Sequence, residues 1–266
     1  MDNRAIGFFD SGLGGLTSVP VLKRALPNEK VLYFGDTART PYGSKSPDTV
    51  CKFSAQIVDY LVSKNVKLIV IACNTVTAMA LDMLRERHPE VPIVGVIDPT
   101  ARRVSVDGVS NVGIIGTKVT IESGVYAESI HSLNPNINTY SLACPAFVPL
   151  IEEGIIDNEI MDLTIKYYMD DFVKNNNIDS LILGCTHYPL IATNIKRLYP
   201  ELKLYNSSAE VICDVVDILT EKDMLAGEND FPDRFYASDL SENFLRMTDT
   251  LFEGYDTKIK LKKLDD

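Results

Sequence analysis

Two cysteines stand at the ends of apolar segments, where a thiol would have a chemical use. Cys73 follows the apolar run 68–72 and Cys185 follows the run 180–183, and each precedes a polar turn and a helical pattern. Ligands of open α/β sheets bind beside the carboxyl ends of the strands, where the positive end of a helix dipole favours a thiolate. A free cysteine has a pKa of about 8.5, so modest stabilisation makes it a usable base near neutral pH. Two cysteines in equivalent settings favour a pair of active-site thiols over two buried small side chains.

The equivalence of the two cysteines comes from an internal repeat. The segments that begin at Leu68 and Leu181 both read as strand, cysteine, polar turn, helix, Pro-Glu and second strand. A weaker parallel relates the segments that begin at Ala5 and Asn111. The pattern predicts two similar lobes that each present one thiol. Inversion of a stereocentre by proton transfer needs a base on one face and an acid on the other, and a pseudo-symmetric cleft would support this chemistry.

Polar residues after the first two strands could bind a substrate next to the thiols. Asp10 is followed by Ser11 and a glycine-rich turn, which together offer a hydroxyl and backbone N–H groups to a carboxylate. The same turn, with Asp36 downstream, matches a dinucleotide-binding motif poorly, because its glycines do not follow the Gly-x-Gly-x-x-Gly pattern. Asp36 is either a functional carboxylate or a helix-capping residue. The turn 41–44 is either a rigid turn with backbone donors or a plain surface loop.

Two residues associated with the second lobe are candidates for proton transfer. His187 lies shortly after Cys185 and could carry a proton, lower the pKa of the thiol as a cation, or act only as a structural donor. Glu152 closes a predicted short helix and, from spacing alone, is more typical of a solvated surface charge. Cys185 and His187 supply only two ligands, so the sequence predicts no metal site. The remaining cysteines are interpreted as structural thiols, and they are Cys51, Cys144 and Cys213.

Short apolar segments alternate with longer amphipathic segments along most of the chain. This alternation predicts β-α-β units and an α/β fold of two similar, pseudo-symmetric lobes with mainly parallel sheets and the active site in the cleft between them. We assign residues 1–97 and 209–266 to the first lobe and residues 98–208 to the second, with a boundary at the turn signal Asp98-Pro99. The predicted strands are 5–9, 31–34, 68–72, 93–96, 112–115, 139–142, 180–183 and 202–205, and the clearest helical patterns are 78–87 and 190–198.

The composition of the 266-residue chain is typical of a soluble globular protein. Its formal net charge of -11 argues against a nucleic-acid or anionic-membrane surface, although a local pocket can still take an anionic substrate. No apolar run is long enough to span a bilayer, and the first residues lack the apolar core of a signal peptide, so we expect a cytoplasmic location. In that compartment the five cysteines are expected to be free thiols.

Five motifs occur in an order that resembles the glutamate racemase family. They are DSGLGGL (10–16), GDTARTPYG (35–43), ACNT (72–75), SLACPAFVPLIEEG (141–154) and GCTHYPL (184–190). The resemblance implies a cofactor-independent enzyme that interconverts L- and D-glutamate and supplies D-glutamate for peptidoglycan. It also implies a homodimer.

The resemblance further assigns roles to individual residues. Cys73 and Cys185 would be the two acid–base thiols, and the auxiliary acid–base side chains would be Asp10, Asp36, Glu152 and His187. The residues that would hold the substrate are Asp10, Ser11, Pro41, Tyr42, Gly43, Asn74, Thr75, Thr117, Thr186 and His187. The expected partner is the small molecule glutamate, with no metal ion, nucleic acid or membrane.

Three other functions fit parts of the pattern. Racemisation of another acidic amino acid, such as aspartate, would use the same two thiols with a pocket of different depth. A cysteine hydrolase or acyl transferase would use Cys185 with His187 and would leave Cys73 without a role. An amino-acid-binding protein without activity would keep the two lobes and tolerate the loss of both thiols.

Overall fold

Two parallel β-sheets with flanking helices make up the protein. The structure is a computed structural model that describes residues 1–228, 231–241, 245, 248 and 258–264. The strands of the first sheet, numbered in chain order, are β1 (Ile6–Asp10), β2 (Val31–Gly35), β3 (Leu68–Ile71), β4 (Ile93–Gly95), β9 (Arg234–Ala237) and β10 (Ile259–Leu261). The strands of the second sheet are β5 (Asn111–Gly116), β6 (Asn138–Ala143), β7 (Ser180–Gly184) and β8 (Lys203–Asn206).

Helices connect most of the consecutive strands. They are α1 (Ser18–Ala25), α2 (Pro47–Ser63), α3 (Asn74–Arg87), α4 (Ile97–Val106), α5 (Lys118–Glu122), α6 (Val125–Leu133), α7 (Phe147–Glu152), α8 (Glu159–Asn175), α9 (Ala192–Leu198) and α10 (Ser207–Glu221). Short 3-10 helices cover Gly14–Thr17, Thr37–Arg39, Tyr42–Ser44 and Tyr188–Ile191. None of the helices in the described residues is long and apolar enough to cross a membrane.

The two sheets share one strand order. The first sheet runs β10-β9-β2-β1-β3-β4 and the second runs β6-β5-β7-β8, and neighbouring strands are parallel throughout. Apart from the two strands added at one edge of the first sheet, β1 to β4 therefore correspond to β5 to β8. β3 and β7, which precede the two cysteines, occupy equivalent positions. The prediction of two similar α/β lobes with parallel sheets is confirmed.

Helices on both faces bury the central strands, as parallel sheets require. Alternate residues of β1 enter different cores: Phe8 belongs to the cluster that includes α1 and α10, and the next residue, Phe9, belongs to the cluster that includes α2 and α3. Helix α10 packs against α1 and also against α4. The first of these two clusters continues into the second sheet, so one apolar core joins the two lobes.

The predicted strands agree with the observed ones to within one residue at each end, but three features differ from the prediction. The sequence analysis does not predict β9 and β10. The turn signal at Asp98-Pro99 is wrong, because both residues lie in the first turn of α4. Proline is tolerated there because its missing N–H would have no partner within the helix. The predicted helix 190–198 begins as the 3-10 helix Tyr188–Ile191 and continues as α9.

The lobe boundaries at residues 97 and 208 stay a prediction. The strands of the second sheet fall within residues 98–208 and those of the first sheet fall outside that range. Helices α4 and α10 each cross one of the two boundaries. The division of the chain into lobes at these two positions is thus a proposal from the sequence. A helix rather than a loop crosses each boundary.

Candidate active site

The two thiols stand at matching strand ends. Cys73 follows β3 directly before α3, and Cys185 immediately follows β7. Both are buried, with 5% and 6% of their surface exposed. Cys73 immediately precedes the 14-residue helix α3, whereas Cys185 precedes only the 3-10 helix Tyr188–Ile191. The helix-dipole argument therefore applies to Cys73 more strongly than to Cys185.

Both cysteines line one small cavity of about 20 Å³ between the lobes. The other predicted residues in its wall are Ser11, Pro41, Tyr42, Gly43, Asn74, Thr75, Thr117, Thr186 and His187. Asp10, Asp36 and Glu152 lie behind this wall, and each contacts one of its residues. The structure thus brings the predicted set together, with three carboxylates as supports of the wall.

Two residues of the cavity wall were not singled out from the sequence. Thr40 precedes Pro41 in the second motif, and Val148 lies in the first turn of α7 within the fourth motif. Both positions lie inside two of the five motifs, so the sequence marks the two segments although it does not mark these residues individually. Neither residue type has an acid–base function, which is why chemistry alone did not select them.

A hydroxyl and a carboxylate accompany Cys73. The thiol Sγ donates to Ser11 Oγ at 3.4 Å. Burial raises the pKa of Cys73 to about 12, with a further increase from the negative charge of Asp10, while Ser11 and the backbone N–H of Val76 act in the opposite direction. Cys73 is therefore a protonated thiol at neutral pH.

Cys185 has an imidazole as its neighbour instead. His187 Nδ1 lies 3.8 Å from the sulfur, and Nε2 of the same ring lies 3.2 Å from Glu152 Oε1 in an ion-pair contact. Burial acts to lower the pKa of His187, but Cys185 and Glu152 outweigh it and raise the pKa to about 10. The ring is therefore a cation at neutral pH, placed between a sulfur and a carboxylate.

Asp10 connects the two lobes from the end of β1. Its Oδ2 accepts the N–H of Gly12 at 3.0 Å, and its Oδ1 accepts the hydroxyl of Thr186 at 3.3 Å. Burial raises the pKa of Asp10, while the charge of His187 and neighbouring N–H groups act to lower it. A Cβ on Gly14 would lie 2.2 Å from Thr186 Oγ1, so this close approach of the lobes requires glycine.

The two residues that follow Cys73 in the chain also contact the opposite lobe. Asn74 Oδ1 accepts the hydroxyl of Tyr126 at 2.6 Å, and Asn74 Nδ2 donates to Ser207 Oγ at 3.3 Å. Thr75 Oγ1 lies 3.0 Å from Thr117 Oγ1 in a shared hydroxyl cluster. The amino-terminal turn of α3 is therefore tied across the cleft by polar side chains.

Asp36 is buried at the end of β2 and acts on the cavity wall through Tyr42. The Tyr42 hydroxyl donates a short hydrogen bond to Asp36 Oδ2, and Arg39 Nε donates to the same oxygen at 2.7 Å. The phenol ring of Tyr42 packs in the core beside Phe9. Tyr42 and the adjacent Gly43 both line the cavity.

Each of the two lobes contributes one thiol to a shared cavity. This arrangement defines a class of enzyme that acts on both faces of one carbon. Residues 19–216 match the Asp/Glu/hydantoin racemase family. The chain belongs to this family, as the motifs of the sequence predicted.

Within the family, the chain is similar to glutamate racemases. It is 43% identical over 254 residues to the glutamate racemase of Geobacter metallireducens, covering 94% of this chain and 93% of the relative. It is 49% identical over 209 residues to that of Sulfurihydrogenibium sp., covering 78% and 80%. The crystal structure of the Francisella tularensis glutamate racemase in complex with D-glutamate matches with a TM-score of 0.93 at 41% identity, over 100% of this chain and 99% of that one.

Proposed function

We propose that this protein interconverts L- and D-glutamate by proton transfer between two thiols, without a cofactor. The observation that carries the proposal is that Cys73 and Cys185 follow equivalent strands and line one cavity. Glutamate as the substrate is supported by the chain's similarity to glutamate racemases, one of which is described in complex with D-glutamate.

The reaction breaks and reforms the bond between Cα and its hydrogen. A thiolate on one side removes the α-proton and becomes a thiol, and the electron pair stays on Cα as a carbanion. The thiol on the other side gives its proton to the opposite face of Cα and becomes a thiolate. The product is the other enantiomer, and the reverse reaction uses the same two groups in exchanged roles.

The surroundings of the two sulfurs differ. On one side, the ring of His187 lies 3.8 Å from the sulfur of Cys185 and is also in contact with Glu152. On the other side, burial and the negative charge of Asp10 favour the protonated thiol of Cys73. We assign Cys73 as a group that begins the reaction as an acid, with Cys185 as its partner on the other side of the substrate.

The remaining wall residues are assigned to substrate binding. Hydroxyl groups from both lobes, together with the backbone N–H groups of Tyr42 and Gly43, provide donors for the carboxylates of the amino acid. The side chains in this role are Ser11, Thr75, Thr117 and Thr186. Asn74 contributes from a side chain whose amide is already oriented by Tyr126 and Ser207.

Optical activity provides the test of this proposal. Circular dichroism of pure D-glutamate and of pure L-glutamate should decay to zero in the presence of the enzyme, while the signals of the aspartate enantiomers persist. In deuterated water, the α-hydrogen of the product should be replaced by deuterium. Decay of the aspartate signals alone would support an aspartate racemase. A covalent acyl-enzyme detected by mass spectrometry would support a hydrolase that uses Cys185 and His187.

We further propose a cytoplasmic homodimer that supplies D-glutamate to peptidoglycan synthesis. Helix α8 supports the dimer, because it exposes an apolar stripe of Ile160, Leu163 and Tyr167 at the spacing of one helix face. Light scattering of the purified protein measures its mass in solution. A monomer at micromolar concentration would contradict the dimer and leave the proposed reaction unaffected.

A further inference from the structure

The carboxyl end of β9 lies beside the loop that forms one wall of the cavity. β9 pairs with β2 in parallel, with Ala237 opposite Gly35. One residue further, the backbone N–H of Ser238 donates to Gly35 O at 3.0 Å. This register places Ser238 next to Asp36, although the two residues are far apart in the chain.

The hydroxyl of Ser238 makes two hydrogen bonds with the start of this loop. It donates to Asp36 Oδ1 at 2.8 Å and accepts the backbone N–H of Ala38 at 2.9 Å. The neighbouring pair repeats the pattern, because the hydroxyl of Thr37 donates to Asp239 O at 2.6 Å and accepts the N–H of Asp239 at 2.8 Å. Ser238 and Asp36 are both buried, so water does not readily replace these bonds.

Asp36 connects Ser238 to the cavity wall through its second carboxylate oxygen. Oδ2 accepts the hydroxyl of Tyr42 and Nε of Arg39. Tyr42 and Gly43 line the cavity, and a Cβ on Gly43 would lie 2.4 Å from Thr117 Cβ of the opposite lobe. The position of this turn is therefore set tightly from both sides.

We propose that Ser238 is a positioning residue for substrate binding, which holds the Asp36 carboxylate so that Tyr42 fixes the backbone donors of the turn 41–43. The segment after α10 thereby becomes part of the substrate site, although it carries none of the five motifs. The kinetic part of this inference rests on the proposed racemisation of glutamate.

A second residue of the same segment provides a matched control. Asp233, directly before β9, accepts Lys23 Nζ at 2.7 Å and the N–H of Val31 at 2.8 Å. These bonds attach the start of β9 to the sheet and do not involve Asp36. Asp233→Asn therefore weakens the attachment of β9 without acting directly on the cavity wall.

The experiment compares Ser238→Ala, Ser238→Thr and Asp233→Asn in the full chain. Loss of one hydrogen bond to a buried carboxylate should raise the KM for glutamate by about fivefold to tenfold, with kcat within about twofold. Ser238→Thr keeps the hydroxyl and should restore the KM. Asp233→Asn should lower the melting temperature and leave the KM unchanged.

Hydrogen exchange provides a readout that does not depend on activity. The amides of Ala38, Arg39 and Lys45 are hydrogen-bonded within this network. Their protection should fall in Ser238→Ala and persist in Asp233→Asn. Wild-type protection and wild-type KM in Ser238→Ala, or equal changes in Asp233→Asn, would overturn the inference. If the unmodified protein does not racemise glutamate, the proposed function fails, and hydrogen exchange alone then decides whether Ser238 positions the loop.

Discussion

At the scale of single residues, the two thiols occupy equivalent places but have different neighbours. Cys73 contacts the hydroxyl of Ser11, and Cys185 lies beside the cationic ring of His187. Burial and the negative charge of Asp10 favour the protonated thiol of Cys73. The unequal neighbours fit the proposed reaction, in which one sulfur acts as the acid while the other acts as the base.

Replacement of either thiol by a hydroxyl should abolish racemisation. Serine keeps the shape of the side chain, but its hydroxyl is far too weak an acid to exchange a proton with a carbanion at neutral pH. We expect Cys73→Ser and Cys185→Ser each to lower kcat by about 10²- to 10⁴-fold, measured by circular dichroism on both enantiomers. Cys213→Ser, at an exposed position on α10, is the control and should keep wild-type activity. Full activity in either active-site variant would exclude the two-thiol mechanism.

The ion pair of His187 and Glu152 should make stability depend on pH. The pKa of His187 in the folded protein is about 10, above the value of about 6.5 in an unfolded chain. Its contribution is therefore fully present below pH 6.5 and declines as the pH rises through 10. Glu152→Gln should lower the free energy of unfolding by about 1 kcal/mol at pH 6 and by much less above pH 10. Urea titrations at both pH values measure this difference, and an equal loss at both would contradict the assignment.

At the scale of secondary structure, the sequence predicts the eight strands that the two sheets have in common and misses the two strands added to the first sheet. Central parallel strands are continuous apolar runs because both faces are buried. The strands β9 (RFYA) and β10 (IKL) contain charged residues, and nothing in the local pattern marks them as strands. The residues of the candidate site likewise include some that the sequence predicts and some that it does not. Motif residues such as Ser11 were predicted, whereas the contact of Ser238 with Asp36 arises only from the pairing of β9 with β2.

A buried ion pair ties the start of β3 to two distant chain segments. Lys67 Nζ lies 2.6 Å from Glu29 Oε2 and donates to the carbonyls of Asp2 and Met224 at 2.7 Å each. Both side chains of the ion pair are almost fully buried. The ammonium group thus has two hydrogen bonds and one ion pair, and Oε1 of Glu29 accepts the N–H of Ala226.

Removal of the charge at Lys67 should destabilise the fold without changing the chemistry. Lys67→Met leaves the Glu29 carboxylate buried without its cation, and we expect a loss of about 3–5 kcal/mol in the free energy of unfolding. Arg87→Ala removes a surface ion pair with Asp59 and should leave stability nearly unchanged. Denaturant titration distinguishes the two, and similar losses in both variants would contradict the role of burial.

At the scale of the whole molecule, the cleft is closed by polar groups and by glycines. The hydroxyl of Thr186 reaches Asp10, and the hydroxyl of Thr75 reaches Thr117. Because Gly14 has no side chain, its backbone can pack directly against Thr186 of the opposite lobe. The distance between the lobes, and with it the placement of the two sulfurs, depends on these small residues.

A methyl group at Gly14 should hold the lobes apart. Its Cβ would lie 2.2 Å from Thr186 Oγ1 and 2.6 Å from the Thr186 backbone carbon, so Thr186 and the adjacent Cys185 must shift. We expect Gly14→Ala to lower kcat/KM by about 100-fold. In Gly7→Ala the added Cβ meets only first-lobe side chains at 3.3–3.4 Å, so kcat/KM should stay near that of the wild type. Equal kinetics of the two variants would show that lobe spacing is not limiting.

The small volume between the lobes determines when an amino acid can enter. A space of about 20 Å³ accommodates about one water molecule, which is far less than an amino acid. Each catalytic cycle must therefore begin and end with a separation of the walls. The hydrogen bonds that span the cleft oppose this gating motion only weakly, because bulk water replaces such bonds at small net free energy. Once the walls have closed, almost no solvent remains to protonate the carbanion, and the configuration of the product is decided by which sulfur donates the proton.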